Sequence, residues 1–258
     1  MKVVLFCGGL GMRIREQSEG LPKPMVHIGY RPILWHVMKY YAHFGHKDFI
    51  LCLGHRADVI KRYFRSYDET ISNDFVLTGG VDVQLMHSDI QDWKVAFVDT
   101  GVNASIGERL KAVESLLEGE EVFLANYSDG LTDLDLGAYV SEVLERGKIA
   151  NFLCVRPTQS FHVVAARDDG VVDDIQPVTE ADVWINGGFF VFRSDIFRYI
   201  RPGEDLVSEP FDRLITESQL FAYKYTGFWT AMDTFKDKEF LESMYARDAA
   251  PWQLWAGR

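Results

Sequence analysis

The sequence predicts an α/β fold with a mostly parallel, mixed central sheet flanked by helices. Three observations lead there. Short apolar runs alternate with amphipathic segments up to about residue 150, a glycine-rich turn closes the first run, and strand-like segments dominate afterwards. Alternation of this kind favours parallel strands joined by crossover helices, and such sheets take ligands at the carboxyl ends of their strands.

Residues 2–7 read as the first strand, because Val3, Val4, Leu5, Phe6 and Cys7 are apolar without a break, the pattern of a strand buried on both faces. Residues 33–44 carry apolar side chains at 33, 34, 37, 38, 41 and 44, one face of a helix. A strand at 49–53 ends in Gly54, and a helix at 57–67 turns Val59, Ile60, Tyr63 and Phe64 inward. Shorter strands fall at 83–86 and 95–98. The helix at 107–117 aligns Leu110, Val113, Leu116 and Leu117, and a strand at 122–125 precedes a helix at 136–146. Strands at 151–156, 161–166, 171–174, 185–192 and 222–225 are then expected to extend the sheet, with helices at 209–217 and 236–246. No linker, repeat or low-complexity tract interrupts the pattern, so residues 1–258 read as one domain with halves meeting near residue 150.

With 258 residues, 47% of them hydrophobic, the chain can bury a sizeable core. Its formal charge of −11 provides no diffuse basic surface for nucleic acid or anionic lipid. A polyanionic ligand must therefore meet a local cluster of Arg, Lys and metal. Cys7, Cys52 and Cys154 lie in apolar runs without metal spacing and are expected to be buried free thiols. The seven histidines show neither metal spacing nor a nucleophile partner. The first strand begins at once, leaving no room for a signal peptide, and no apolar run reaches membrane-span length. A cytoplasmic, soluble protein is expected.

The most informative string is Gly8-Gly9-Leu10-Gly11-Met12-Arg13, followed by Pro22-Lys23-Pro24-Met25. A glycine-rich turn at a strand's carboxyl end lets backbone N–H groups approach a phosphate chain. Arg13 and Lys23 add two cations for the same anion. No Gly-Lys-Ser/Thr follows, and Gly-x-Gly-x-x-Gly is not spelled, so neither a Walker loop nor a dinucleotide fingerprint is present. Asp129, in Asn126-Tyr127-Ser128-Asp129-Gly130, offers a carboxylate after the 122–125 strand, and Asp233 a second one after Gly227-Phe228-Trp229. Separately, Asp129 reads equally well as an ordinary Asp-Gly turn, and a carboxylate placed like Asp233 is more often part of a helix N-cap region. Together they fit one Mg²⁺, which takes one or two carboxylates and leaves its other positions to phosphates and water.

These strings resemble the sugar-nucleotidyltransferases, and within them the glucose-1-phosphate cytidylyltransferases, along the whole chain. Pro32-Ile33-Leu34-Trp35-His36, Asp99-Thr100-Gly101, Arg109-Leu110-Lys111, Ile185-Asn186-Gly187-Gly188-Phe189-Phe190, Gly227-Phe228-Trp229, Met232-Asp233-Thr234 and Ala250-Pro251-Trp252 continue the match. The resemblance implies a Rossmann-like nucleotidyltransferase fold, Mg²⁺ dependence, a homo-oligomer, and transfer from CTP to a sugar 1-phosphate such as glucose 1-phosphate with release of pyrophosphate. It implies Gly8, Gly9, Gly11, Arg13, Lys23 and Arg109 at the nucleotide, with Arg13, Lys23 and Asp129 carrying catalysis. Asp129 and Asp233 would hold the metal, and Asn186, Trp229 and Asp233 would line the acceptor. Nucleotide binding falls to the half before residue 150 and acceptor binding to residues 151–258. The sugar phosphate is already an anion, so alignment and charge stabilisation suffice without a general base.

Three departures fall on the acceptor and base sides. Relatives carry Glu-Lys-Pro where this chain has Ile175-Gln176-Pro177, Arg-Phe-Gly where it has Ser160-Phe161-His162, and Gly-Gly where it has Gly107-Glu108. A lost cation facing a dianion is worth roughly 1.5–3 kcal/mol. Either the acceptor pocket has been rebuilt around His162, Gln176 or Arg156, for glucose 1-phosphate or another phosphorylated acceptor, or the chain is a nucleotide-sugar sensor. The intact nucleotide half favours a rebuilt pocket.

Overall fold

The computed structural model describes residues 1–9, 20–158 and 161–255. An eight-stranded sheet forms its centre. Val3–Phe6 lies in the middle, parallel to Asp48–Leu53 on one side and Val122–Tyr127 on the other. Lys94–Asp99 continues the parallel flank beyond Asp48–Leu53. On the opposite flank Phe190–Arg193 runs antiparallel to Val122–Tyr127 and pairs with Ala150–Val155. Leu220–Tyr225 closes that side in parallel with Ala150–Val155, and Ile185–Asn186 pairs with the latter's carboxyl end.

The period of two along each strand divides the core into two layers. Val3, Leu5, Phe49, Leu51, Leu124 and Leu153 face helices Ile33–His43, Leu136–Arg146 and Phe235–Ala246. Val4, Phe6, Ile50, Cys52, Phe123 and Ala125 face helices Ile106–Ala112 and Glu209–Thr216. All three cysteines are buried and free, as expected. Among the described residues no helix is long and apolar enough to cross a membrane.

The predicted elements appear in order, with four instructive differences. Residues 161–166 and 171–174 do not extend the sheet. His162–Ala166 and Val172–Pro177 form a separate antiparallel hairpin, exposed along nearly its whole length. The strand expected at 185–192 breaks at Gly187, because Gly188 and Phe189 adopt φ of +78° and +49°. The helix expected at 107–117 becomes Ile106–Ala112 followed by a 3₁₀ turn, Glu114–Leu117. Phe75–Thr78, predicted as nothing, pairs with Asp82–Leu85 in a second exposed hairpin.

The chain's last described segment packs back onto the first helix. Trp252 is fully buried, stacks on Phe228 with centroids 5.8 Å apart, and donates its indole N–H to His36 Nδ1 at 3.4 Å. His36 Nε2 donates to the Ile28 carbonyl at 3.0 Å, so the neutral imidazole satisfies both neighbours. Burial lowers the His36 pKa from 6.5 to about 4. The folded value lies below the unfolded one, so the unfolded chain alone takes up a proton as pH falls from about 6.5 towards 4, and stability drops through that window. Urea unfolding at pH 7 and pH 5 should reveal a loss of about 2 kcal/mol from this residue. The His36→Asn variant, whatever its starting stability, should have the flatter profile by that amount.

Candidate active site

Lys23 stands at the convergence of three segments. It opens a 3₁₀ turn, Lys23–Met25, that Pro22 and Pro24 hold on either side. Its ammonium lies 2.5 Å from Asp129 Oδ2 and 2.6 Å from Asp233 Oδ1. A short ladder places the two carboxylates side by side. Gly130–Thr132 pairs antiparallel with Trp229–Ala231, and the Met232 N–H donates to the Asp129 carbonyl at 3.0 Å. Asp133 anchors the same ladder by accepting from the Phe228 N–H at 2.8 Å and the Tyr225 hydroxyl at 2.5 Å. Asp233 does not cap the next helix. Thr234 does, in a capping box with Asp237, which leaves the Asp233 carboxylate for Lys23. Burial opposes charge on Lys23, but the two carboxylates outweigh it and raise the lysine pKa.

The glycine turn rests on Arg109. This guanidinium, 2% exposed, donates to the carbonyls of Gly8 at 3.1 Å, Leu53 at 3.1 Å and Val102 at 3.3 Å, and to the Thr100 hydroxyl at 2.8 Å. It thus ties together the carboxyl ends of three parallel strands. Burial lowers its pKa. A Cβ on Gly8 would lie 2.0 Å from Arg109 Nη1, and one on Gly54 would lie 2.8 Å from the Gly8 carbonyl. Glycine is required at both positions by close approach, not by backbone conformation. Arg109, expected at the phosphates, is enclosed by carbonyls beneath the turn. Gly9 is exposed beside Gly8. Gly11 and Arg13 lie outside the described residues.

The residues expected to line the acceptor gather around the broken strand. Asn126 Oδ1 accepts the N–H groups of Tyr127 and Phe189, each at 2.9 Å. That pair holds Gly188 so close that a Cβ there would lie 2.4 Å from Asn126 Oδ1. Asn186 Oδ1 accepts from the Gly188 N–H at 2.9 Å, and its amide reaches the Tyr127 hydroxyl at 3.4 Å. Burial, then the nearby negative charges of Asp205 and Asp129, push Tyr127 up to about 12, so it remains a neutral phenol. Trp229 donates its indole N–H to the Gly187 carbonyl at 2.9 Å. Asn186 and Trp229, both expected at the acceptor, meet the same kink from two sides.

His162 and Gln176 do not join them as a pair. His162 opposes Pro177 and Gln176 opposes Val163, so adjacent rungs turn the two side chains to opposite faces of the hairpin. Glu108, expected to alter the base pocket, instead closes a capping box. Its carboxylate accepts the Ser105 N–H at 2.8 Å while its own N–H donates to Ser105 Oγ. Ser128 changes little, since its hydroxyl donates to the Phe6 carbonyl at 2.9 Å. Asn126 and Tyr127 were not singled out from sequence, although both stand in the string that carries Asp129.

The chain has counterparts among known proteins. The nucleotidyl transferase family profile matches residues 2–244. The chain belongs to the nucleotidyl transferase family. It is 38% identical to the glucose-1-phosphate cytidylyltransferase of Salmonella typhimurium, and 37% identical to that of Salmonella typhi, each over 99% of this chain and 100% of the relative. Two solved structures share the fold. One is HddC from Yersinia pseudotuberculosis, with a TM-score of 0.66, 20% identity and coverage of 95% of this chain and 99% of that one. The other is a UDP-glucose pyrophosphorylase complexed with UDP-glucose, with a TM-score of 0.69, 13% identity and coverage of 96% and 98%.

Close packing under the turn makes a direct prediction for this nucleotidyl transferase. Gly8→Ala must displace a guanidinium held by four hydrogen bonds. Chemical denaturation should register a loss of about 1–3 kcal/mol, the range for overpacking a filled site.

Proposed function

We propose that this chain is a glucose-1-phosphate cytidylyltransferase, joining CTP to glucose 1-phosphate to give CDP-glucose and pyrophosphate. The full-length identity to the two Salmonella enzymes carries the substrates, and the convergence of Lys23 with Asp129 and Asp233 carries the chemistry. An oxygen of the sugar phosphate attacks the α-phosphorus of CTP. A new P–O bond forms there as the bond to the bridging oxygen of the departing pyrophosphate breaks. The attacking oxygen is already anionic, so no proton need be removed. In-line approach and neutralisation of charge are what the site must supply.

Lys23 is suited to the second task, since neighbouring carboxylates keep it protonated across the neutral range. Asn126, through Gly188 and Phe189, fixes the wall on which Asn186 and Trp229 would position the sugar. The residues present fit a divalent cation. Two hard carboxylate oxygens already converge on a single positive group at 2.5 and 2.6 Å, and among the described residues no third acidic, His or Cys side chain joins them. That donor set is the one Mg²⁺ accepts when substrate phosphates complete its shell. Asp129 and Asp233 would hold it, and when bound it would add positive charge against the triphosphate. Because Lys23 occupies the point of convergence, its ammonium must shift for a metal to bind there, and a triphosphate offers it a new partner.

Pyrophosphate release with CTP, glucose 1-phosphate and Mg²⁺ is the direct test. Asp129→Asn and Lys23→Ala should each lower kcat on the order of 100-fold or more. A chelator should stop turnover and added Mg²⁺ should restore it. Full rates in both variants would remove these residues from the site.

The two exposed hairpins support a homo-oligomer. Phe75, Val76, Leu77 and Val83 on one, and Val163, Val164, Val172 and Ile175 on the other, are each at least 36% exposed. An isolated two-stranded hairpin is marginal in water, and apolar faces of this kind are covered in stable assemblies. Light scattering on a sizing column should find an oligomer. Replacing Leu77 and Val83 by Glu should shift it to smaller species; an unaltered mass would exclude that hairpin from the interface.

A further inference from the structure

Outside the Lys23 cluster, one concentration of positive charge stands out in this acidic chain. Trp184 has Arg156 Cζ 5.2 Å and Lys224 Nζ 4.7 Å from its ring centroid. Charge compensation is slight. Asp182 accepts the Trp184 indole N–H at 2.8 Å, and reaches Arg156 only at 3.9 Å while being 84% exposed. Arg156 also donates weakly to the Ala181 carbonyl at 3.4 Å. Exposed cation–π contacts are weak, so the indole does not by itself account for two long cations gathered on one ring.

Their location is informative. Cys154 pairs with Asn186 on one side and with Lys224 on the other. Side chains in register across a sheet share a face, and two strand spacings separate Asn186 from Lys224 by about 10 Å. Trp184 and Arg156 lie just beyond the ends of these strands, and the contacts of Arg156 and Lys224 with the Trp184 ring bring all three together. Arg156 and Lys224 also lie at the carboxyl ends of parallel strands, the side on which α/β sheets take ligands. Asn186 in turn contacts Tyr127, two residues before Asp129. The patch is continuous with the wall of the candidate site.

We propose that Arg156 and Lys224, braced against Trp184, bind the phosphate of the sugar 1-phosphate acceptor. This rests on the cytidylyltransferase reading and deepens it. A phosphomonoester dianion needs two cationic donors, and a guanidinium fork beside a point-charge ammonium supplies both kinds. The hairpin residues His162 and Gln176 cannot do so from one face. The cations therefore act on the acceptor's phosphate, orienting the oxygen that attacks the α-phosphorus, while the rest of the triphosphate falls to the glycine turn.

Steady-state kinetics with CTP and glucose 1-phosphate test this. In the double variant Arg156→Gln/Lys224→Gln, KM for glucose 1-phosphate should rise about tenfold or more, with KM for CTP unchanged within about twofold. Exchanging the cations, Arg156→Lys/Lys224→Arg, should recover most of the loss, which a general folding defect would not. Quenching of tryptophan fluorescence by glucose 1-phosphate, and not by glucose, should be present in the parent protein and lost in the double Gln variant. If the parent turns over and the double variant keeps the parent's KM for the sugar phosphate, the cation pair is excluded and the reaction stands. A KM for CTP that rises in parallel would also overturn the assignment. If the parent binds glucose 1-phosphate through these cations and catalyses nothing, the phosphate site stands and the reaction falls.

Discussion

The ion pair of Lys23 with Asp129 and Asp233 is the interaction on which the geometry of the site depends. It joins a proline-braced turn near the amino terminus to Asp233, 210 residues later and just beyond the second strand of the ladder. Its contribution to stability is modest, because removing three charges from water costs much of what their attraction returns. Removing Lys23 is another matter, since it leaves two carboxylates facing each other in a half-buried space. The cluster is better understood as a specification of geometry. It sets where positive charge resides, and it keeps two carboxylates from separating while no substrate holds them.

A second constraint lies under the glycine turn. Arg109 makes four hydrogen bonds to neutral acceptors and no contact with a carboxylate among the described residues. Asp99 and Glu108 act on its charge from nearby without a direct contact. In a chain of net charge −11, a triphosphate approaching at long range would meet repulsion. The field that matters is local, and in a low-dielectric surrounding a few fixed cations outweigh distant carboxylates screened by salt. Gly8 and Gly54 have no side chain because Arg109 fills the space, so the charge and the turn are parts of one construction.

Much of this was legible in the sequence, and what was not has physical reasons. Buried strands and amphipathic helices announced themselves because periodicity reports burial, and the sequence already brought Asp129 and Asp233 together as partners for one metal. The direct contact of both with Lys23 could not be read, since it depends on the Gly130–Thr132 and Trp229–Ala231 ladder, three residues on each side and too short to leave a pattern. Hairpin residues 162–177 alternate like sheet strands yet stand apart, because period two records a pleat and not which ladder receives it. The resemblance placed Arg109 near the nucleotide phosphates and marked Glu108 as a departure beside the base pocket. That Arg109 also ties strand ends together, and that Glu108 closes a helix cap, requires knowing which carbonyls and which N–H groups lie nearby.

The acceptor wall sets limits on how this enzyme's specificity could have changed. Phe189 holds a left-handed backbone, a conformation costing about 1–2 kcal/mol for a residue with a side chain. Three hydrogen bonds offset it: its N–H to Asn126, its carbonyl from the Tyr139 hydroxyl, and the Gly188 N–H to Asn186. Through Gly187 the same kink receives the Trp229 indole. A wall over-determined in this way is preorganised, and it cannot drift by single substitutions without exposing several buried polar groups at once. Variation in the acceptor must then enter through side chains set on the wall and around it. The positions at which the sequence departs from the pattern it resembles, Ile175, Gln176 and His162, fall on the hairpin. The Arg156 and Lys224 cations stand around the wall, able to change the charge presented to a ligand while leaving the kink and its hydrogen bonds untouched.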